Sequence, residues 1–183
     1  MEVKNARNKT FPLKFVDTKI VFSEVPDEIS LAINFSNCPI HCFGCHSQEL
    51  WKDVGIQLTV DNLSELLKNN IDVSCICLLG GDLHPEAINE IAYMIKNNML
   101  NIASERKDQK KLKIAWYSGR DKISKHINLD YFDYIKIGSY KESLGGLNCK
   151  TTNQCFYKKI EEVDYNHVTK VLWKDITETF IDK

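Results

Sequence analysis

The sequence predicts an α/β fold with a mostly parallel sheet, and two patterns carry this prediction. Segments with the apolar content of buried strands alternate with segments of helical periodicity, at spacings suited to βαβ units. Glycines follow several of the predicted strands, as expected where a strand turns towards a helix. Ligands of parallel sheets bind at the carboxyl ends of the strands, so these glycines mark the expected functional edge.

The strands are predicted from short apolar or alternating runs bounded by turn residues. They cover residues 19–24, 29–35, 71–79, 112–117 and 131–137. Pro26 and Asp27 predict a turn between the first two strands, because proline fixes φ and aspartate accepts hydrogen bonds within turns.

Two helices are predicted between the strands. The first begins near Thr59, with Thr59 or Asp61 available as the cap, and places Leu63 and Leu67 on one apolar face. The second begins at Pro85, where the missing N–H costs nothing, and has Ile88 and Ile91 on its apolar face.

The chain has 183 residues, which fits a single domain spanning residues 1–183. Residues 1–17 show no clear periodicity beyond Phe11, Leu13, Phe15 and Val16, so we expect a loosely ordered N-terminus. Residues 161–183 are predicted to be a C-terminal extension without an assigned role. Around them, Phe156–Tyr157 and residues 171–173 resemble extended pieces that pack on the edge of the sheet.

Composition and charge exclude several classes of function. The chain is 43% hydrophobic and 27% charged, as is usual for a globular protein, and its net charge is −1. Without a basic field, no binding to nucleic acid or to an anionic membrane is expected. Residues 1–10 are polar and no apolar run reaches membrane-spanning length, so we expect a cytoplasmic protein.

Three of the seven cysteines, Cys38, Cys42 and Cys45, lie within one short segment with the spacing Cys-x3-Cys-x2-Cys. They follow an apolar strand, and the neighbouring Pro39 and Gly44 favour a loop over a helix. An odd cysteine count argues against a disulfide framework and for metal or redox use of a subset. Soft thiolates gathered on one loop are suited to iron–sulfur or zinc chemistry.

The other four cysteines are predicted to have no metal role. Cys75 and Cys77 alternate on a predicted strand and therefore share one face, where buried thiols commonly pack as small hydrophobic groups. Cys149 and Cys155 have no supporting histidines and are interpreted as incidental.

Iron–sulfur and zinc remain the two alternatives for the cysteine segment. His41 and His46 lie within it, and Cys3His is a common structural zinc site. The spacing favours iron–sulfur, because structural zinc sites usually draw their ligands from two separated pairs. His41 is expected to pack or to face solvent, and the nearby Trp51 to serve as packing.

Taken in order, six sequence blocks resemble the radical S-adenosylmethionine superfamily, and most closely the activating proteins of anaerobic (class III) ribonucleoside-triphosphate reductase. The blocks are 38–47 with 50–51, 80–85, 116–119, 132–138, 145–148 and 151–154. Two positions depart from the wider superfamily but are similar to these activators. Gly44 stands where many members have an aromatic residue, and Asp82 stands where a glutamate is usual.

The resemblance implies a partial, open βα barrel that holds a [4Fe–4S] cluster and S-adenosylmethionine. Cys38, Cys42 and Cys45 would bind the cluster through three thiolates, which leaves one iron open. The backbone at Gly44, Cys45 and His46 would lie against the adenine.

The methionine end of the cofactor is assigned by the same resemblance. Gly80, Gly81 and Asp82 would receive its amino group, and Ser118 would contact the methionine or the ribose. On the residues alone, Gly80-Gly81 could be a plain turn, Asp82 a helix-capping acid and Ser118 a turn residue. Lys136 is expected to reach solvent or a partner rather than the cluster.

The implied activity is reductive cleavage of S-adenosylmethionine, followed by formation of a glycyl radical on the large subunit of anaerobic ribonucleotide reductase. A flavodoxin- or ferredoxin-type protein would donate the electron. No side chain is assigned as a catalytic acid or base, because the cofactor carries the chemistry. The alternatives are an activase of another glycyl-radical enzyme, another small radical S-adenosylmethionine enzyme, or a structural zinc-binding interaction module.

Overall fold

The computed structural model describes residues 9–100, 111–163 and 169–181, which form one sheet of eight strands and two α-helices. The strands are β1 (Thr10–Val21), β2 (Ser30–Phe35), β3 (Ile56–Thr59), β4 (Cys75–Leu79), β5 (Lys113–Tyr117), β6 (Tyr134–Ile137), β7 (Cys155–Val163) and β8 (Thr169–Asp175). The helices are α1 (Val60–Asn69) and α2 (Pro85–Lys96).

The centre of the sheet is parallel. The strands lie in the order β3-β1-β2-β4-β5-β6-β7-β8, and β2, β4, β5 and β6 pair in parallel. The apolar side chains of β4 are buried on both faces, as is typical of a parallel strand covered on both sides. The carboxyl ends of these four strands therefore lie side by side at one edge.

The flanks of the sheet overturn the predicted fold class. β1 pairs antiparallel with β2 and β3, and β7 pairs antiparallel with β6 and β8. Four of the seven pairs among the described strands are thus antiparallel, and only two α-helices accompany them. The prediction of a partial, open βα barrel with a mostly parallel sheet is wrong.

Short connections explain why the sheet is mixed. β1 and β2 are joined by a turn in which the Glu28 N–H donates to the Val25 carbonyl at 3.2 Å and Asp27 has φ of 66°. A short connection joins antiparallel neighbours, whereas parallel neighbours need a crossover. Between β5 and β6 the chain forms only a 3-10 turn at Leu129–Tyr131 rather than an α-helix.

The chain ends also differ from the prediction. Residues 10–17 are not loosely ordered but form the first part of β1, where Phe11, Leu13 and Phe15 are buried at the period of two that defines a half-buried strand. In the predicted C-terminal extension, 169–175 form β8, and the expected extended edge pieces are confirmed as β7 and β8. The predictions for residues 1–8, 164–168 and 182–183 lie outside the described residues.

Both helices are confirmed, and each begins where the sequence predicts. The Thr59 hydroxyl accepts a hydrogen bond from the Asn62 N–H at 3.2 Å, and the Asn62 side chain accepts from the Thr59 N–H at 2.8 Å. This reciprocal capping box fixes the start of α1. Pro85 occupies the first turn of α2.

The sheet separates two apolar clusters. α1 and α2 cover one face, where Ile76, Ile88 and Trp116 belong to the larger cluster. The opposite face carries Cys75 and Cys77, both fully buried, so their interpretation as packed thiols is confirmed. Burial raises the pKa of the Cys77 thiol well above its usual value, which keeps that thiol neutral.

A buried carboxylate joins the amino ends of the central strands. Glu28 precedes β2, and its Oε1 accepts hydrogen bonds from the Tyr134 hydroxyl at 2.9 Å and from the Lys113 ammonium. Burial by itself raises the pKa of Glu28, but hydrogen bonds from Lys113, Ser74 and Tyr134 outweigh it, so the pKa lies below its usual value. The charged form of Glu28 therefore stabilises the fold.

We expect Glu28→Gln to lower the free energy of unfolding by about 2 kcal/mol at pH 7, because it removes charge-assisted hydrogen bonds. The folded-state pKa is lowered, so this stabilisation is complete above the ordinary carboxyl pKa and is lost as the pH falls through the folded-state value. Urea unfolding at pH 7 and pH 3 measures the difference, with the exposed Glu65→Gln as control. If Glu28→Gln lowered the free energy of unfolding by the same amount at both pH values, this assignment would be contradicted.

Candidate functional site

Loops at the carboxyl edge of the parallel strands bring the predicted site residues together. The cysteine loop, residues 38–46, follows β2, and Gly80–Asp82 follow β4. Ser118 follows β5, and Gly138 follows β6. Since these strands are neighbours, the convergence predicted from the sequence is confirmed as a spatial arrangement.

Backbone hydrogen bonds close the cysteine loop. The Cys38 N–H donates to the Leu50 carbonyl at 2.9 Å, which ties the start of the loop to the segment that follows it. The Cys45 N–H donates to the Cys42 carbonyl at 3.1 Å, and Gly44 has φ of 72° at the third position of this turn. A type II turn requires a positive φ there, which is why glycine occupies this position.

The three thiols of the loop are half-buried. Burial raises the pKa of the Cys38 thiol; the charges of Asp82 and Cys42 raise it further, while hydrogen bonds from the backbone of Ile40 and His41 oppose this effect. The Cys45 sulfur accepts a hydrogen bond from the Ser47 N–H at 3.4 Å. Metal binding at Cys38 would therefore release a proton and would strengthen as the pH rises.

In the described residues, no group of three or more histidine, cysteine, aspartate or glutamate side chains is already arranged to hold a metal ion. The donor set of the loop nonetheless fits iron–sulfur chemistry, because it offers three soft sulfur ligands within one short turn-rich segment. Metal binding requires these thiols to lose their protons. It is also coupled to the final arrangement of such a loop.

The two histidines of the loop have aromatic neighbours. The His41 ring stacks on the Trp51 ring, with centroids 4.9 Å apart and an interplanar angle of 24°. His46 contacts Tyr140 at 5.4 Å between ring centroids. His41 was expected to pack or to face solvent, and it does both, because it is an exposed residue whose ring lies on the half-buried Trp51.

Asp82 is the most connected group at this edge. Its side chain is 2% exposed, and its two carboxylate oxygens accept from the Ser118 hydroxyl at 2.5 Å and from the Gly119 N–H at 2.9 Å. The Arg120 guanidinium donates to the Asp82 carbonyl at 3.1 Å. Asp82 and Ser118 thus bind each other and join the loops after β4 and β5.

The alternative interpretation of Asp82 as a helix-capping acid is wrong. The residue at the N-cap of α2 is His84, and no side chain caps that helix end. The side chain of Asp82 is directed instead at the loop after β5, where it meets Ser118 and Gly119.

Gly80 and Gly81 both have left-handed backbones, with φ of 88° and 80°. A Cβ on Gly81 would lie 2.5 Å from Cδ1 of Ile88, so α2 packs directly on this residue. A Cβ on Gly80 would meet only Phe35, with the carbonyl oxygen at 3.4 Å and Cβ at 3.8 Å, which are ordinary contacts. The two glycines are thus required by the turn, and Gly81 also by the approach of α2.

Lys136 is a site residue that the sequence analysis placed wrongly. It is 7% exposed instead of reaching solvent, and its ammonium donates to the Gly138 carbonyl at 2.7 Å. Burial lowers the pKa of Lys136 to about 8, and the charges of Asp82, Cys42 and Asp121 oppose this shift. Its position two residues before Gly138, at the carboxyl end of a parallel strand, was the available signal.

A cleft of about 660 Å³ opens beside the Asp82 network. It lies between the start of α2 and the segment after β5, and Leu83, Arg120, Lys122 and His126 contribute to its lining. This volume is in the range of pockets that accommodate cofactor-sized molecules. Arg120 was not predicted, because it faces the cleft from a loop without periodicity.

No protein-family model, curated protein or solved structure matches this chain. Among the described residues, none of the helices has both the length and the apolar character needed to cross a membrane.

We expect Gly81→Ala to destabilise the protein more than Gly80→Ala. Both substitutions cost about 1 kcal/mol because of the left-handed backbone, but only the methyl group at Gly81 would collide with Ile88. Urea unfolding of both variants measures the difference. Gly146→Ala is the control, because its nearest neighbour would be Asn148 Oδ1 at 3.5 Å; equal losses at Gly80 and Gly81 would contradict this packing.

Proposed function

We propose that this chain is a radical S-adenosylmethionine activase that generates the glycyl radical of anaerobic ribonucleoside-triphosphate reductase. The observation that carries the proposal is the placement of Cys38, Cys42 and Cys45 on one loop beside the Asp82–Ser118 pair. The proposal rests on this edge and its residues, and not on the barrel that the structure lacks.

The donor set supports a [4Fe–4S] cluster as cofactor. When bound through three thiolates, such a cluster keeps one iron open for S-adenosylmethionine and supplies the electron that cleaves it. The chain contributes the three thiols, and the turn at Gly44 holds Cys42 and Cys45 near one another.

The other residues of the edge would bind and orient the cofactor. The left-handed Gly80 and Gly81 allow close approach to the backbone, because neither carries a side chain. Asp82 and Ser118 fix the two loops between which the cofactor would lie. Buried Lys136 adds a cation to an edge that also carries thiols and a carboxylate.

The partners in this proposal are the large glycyl-radical subunit of the reductase and a flavodoxin- or ferredoxin-type electron donor. All seven cysteines are free thiols, which supports a reducing, cytoplasmic location.

We expect anaerobic reconstitution with iron and sulfide to give a brown protein that forms 5′-deoxyadenosine from S-adenosylmethionine when dithionite is added. We expect most of the cluster absorbance and of the 5′-deoxyadenosine formation to be lost in each of three variants, Cys38→Ala, Cys42→Ala and Cys45→Ala. Cys149→Ala and Cys155→Ala are matched controls, because these thiols are also half-buried but lie outside the loop.

A protein that stays colourless and takes up stoichiometric zinc through the same three cysteines would contradict the proposal and favour the interaction module. Addition of a reductase large subunit then tests the substrate, since glycyl-radical formation is detected by electron paramagnetic resonance. Cofactor cleavage without a radical on that subunit would point to another glycyl-radical enzyme or to a small-molecule substrate.

Phe43 provides a test of how the macromolecular partner approaches. It is 83% exposed at the tip of the cysteine loop, between Cys42 and Gly44. We expect Phe43→Ser to retain 5′-deoxyadenosine formation without partner but to lower the glycyl-radical yield about tenfold, as does the loss of an aromatic anchor from an interface. Phe22→Ser is the control, because it makes the same substitution at a 70% exposed phenylalanine after β1. An unchanged radical yield for Phe43→Ser would contradict docking at this loop.

A further inference from the structure

The segment between β6 and β7, residues 139–154, forms a compact loop whose ends meet. The Asn153 side-chain amide donates to the Ser139 carbonyl at 2.9 Å and closes its base. Within the loop, the Gly145 N–H donates to the Lys141 carbonyl at 2.9 Å. A loop of this length with joined ends and internal hydrogen bonds behaves as a preformed unit.

This β6–β7 loop is also anchored to its neighbour at the site edge. Ser139 donates to Asp121 Oδ1 from its N–H at 3.2 Å and from its hydroxyl at 3.4 Å. Gln154 at its far end is buried, and its amide donates to the Gly138 carbonyl at 3.4 Å. Both ends of the loop are therefore fixed to the edge that carries the candidate site.

Two side chains of the β6–β7 loop touch the cysteine loop. The Glu142 carboxyl covers Gly44, since a Cβ built there would lie 3.1 Å from both its Cδ and Oε1. The Tyr140 ring contacts the His46 ring at an interplanar angle of 58°. These contacts flank Cys45 on both sides in sequence.

The cysteine loop also packs against the loop after β5. Cγ1 of Ile40 would be only 2.9 Å from a Cβ on Gly119, and the Gly119 N–H is held by Asp82. The cysteine loop is therefore in contact both with Gly119 and with the pair Tyr140 and Glu142.

We propose that Tyr140 and Glu142 are positioning residues, which hold the cysteine loop in the conformation that binds metal. The inference rests on the proposed function only in taking this loop as the metal site. Both residues belong to the β6–β7 loop, to which the proposed function assigns no role.

The physical reason is the backbone of the cysteine loop. Within this loop His41 and Gly44 have positive φ, an uncommon conformation that contacts from the surroundings help to hold, and Glu142 lies against Gly44. Residues that orient metal ligands commonly change the metal affinity about 10- to 100-fold when they are mutated. Without Tyr140 and Glu142, the loop keeps its sequence and its thiols but loses the contacts at Gly44 and His46, on either side of Cys45.

The test uses the full chain and Co²⁺ alone, because thiolate-to-cobalt absorbance reports how many thiols bind one ion. We expect Tyr140→Ala and Glu142→Ala each to weaken Co²⁺ binding about tenfold and to reduce this absorbance per ion. Tyr140→Phe and Glu142→Gln keep the ring and the side-chain shape, and should restore both values.

Two control variants match the substitutions away from the site. Tyr93→Ala removes a ring that meets Tyr131 at 5.3 Å and 58°, the same kind of contact as the Tyr140–His46 pair. Glu65→Ala removes an exposed acid from α1. The thermal unfolding midpoint of each variant separates positioning from a general loss of stability.

A second readout needs no metal. Iodoacetamide alkylation of Cys42 and Cys45, followed by mass spectrometry, should be several-fold faster in Tyr140→Ala and Glu142→Ala than in either control. The inference would be overturned if Tyr140→Ala and Glu142→Ala were alkylated at the wild-type rate and bound Co²⁺ with wild-type affinity. Lack of thiolate-to-cobalt absorbance in the wild-type protein would instead contradict the metal site and with it the proposed function, while alkylation still decides the positioning role.

Discussion

The buried carboxylate of Asp82 is the constraint on which the candidate site depends. A desolvated carboxylate is costly unless its oxygens accept hydrogen bonds, and here the Ser118 hydroxyl and the Gly119 N–H supply them. These bonds fix the loop after β4 to the loop after β5. Because Ile40 packs on Gly119, the cysteine loop takes its position from the same carboxylate.

A buried acidic residue lies at each end of the parallel strands, and the two residues have different roles. Glu28 at the amino ends pairs with Lys113 and Tyr134, so it serves the stability of the sheet. Asp82 at the carboxyl ends bonds to a hydroxyl and a backbone N–H instead, beside thiols and a cleft. These partners are neutral and do not cancel the negative charge of Asp82. The buried ammonium of Lys136 is attracted by this charge.

Local chemistry made much of this predictable from the sequence. Thr59 and Pro85 set the starts of both helices, and the glycines after the central strands marked the correct edge. Strand direction was not predictable in the same way, because Phe11, Leu13 and Phe15 give the same alternation in either direction. Nor do contacts such as that of Glu142 with Gly44 leave a local pattern, since they join residues far apart in sequence.

The loss of the barrel does not remove the basis for the proposed chemistry, because function depends on a site rather than on a fold class. Four adjacent parallel strands suffice to bring the loops after β2, β4, β5 and β6 to one edge. In the part of the chain that the structure describes, the antiparallel strands on both flanks extend the sheet, and both α-helices cover one face of it. Phe43 is 83% exposed at the tip of the cysteine loop, and in the proposed function this is where the reductase subunit would approach the thiols.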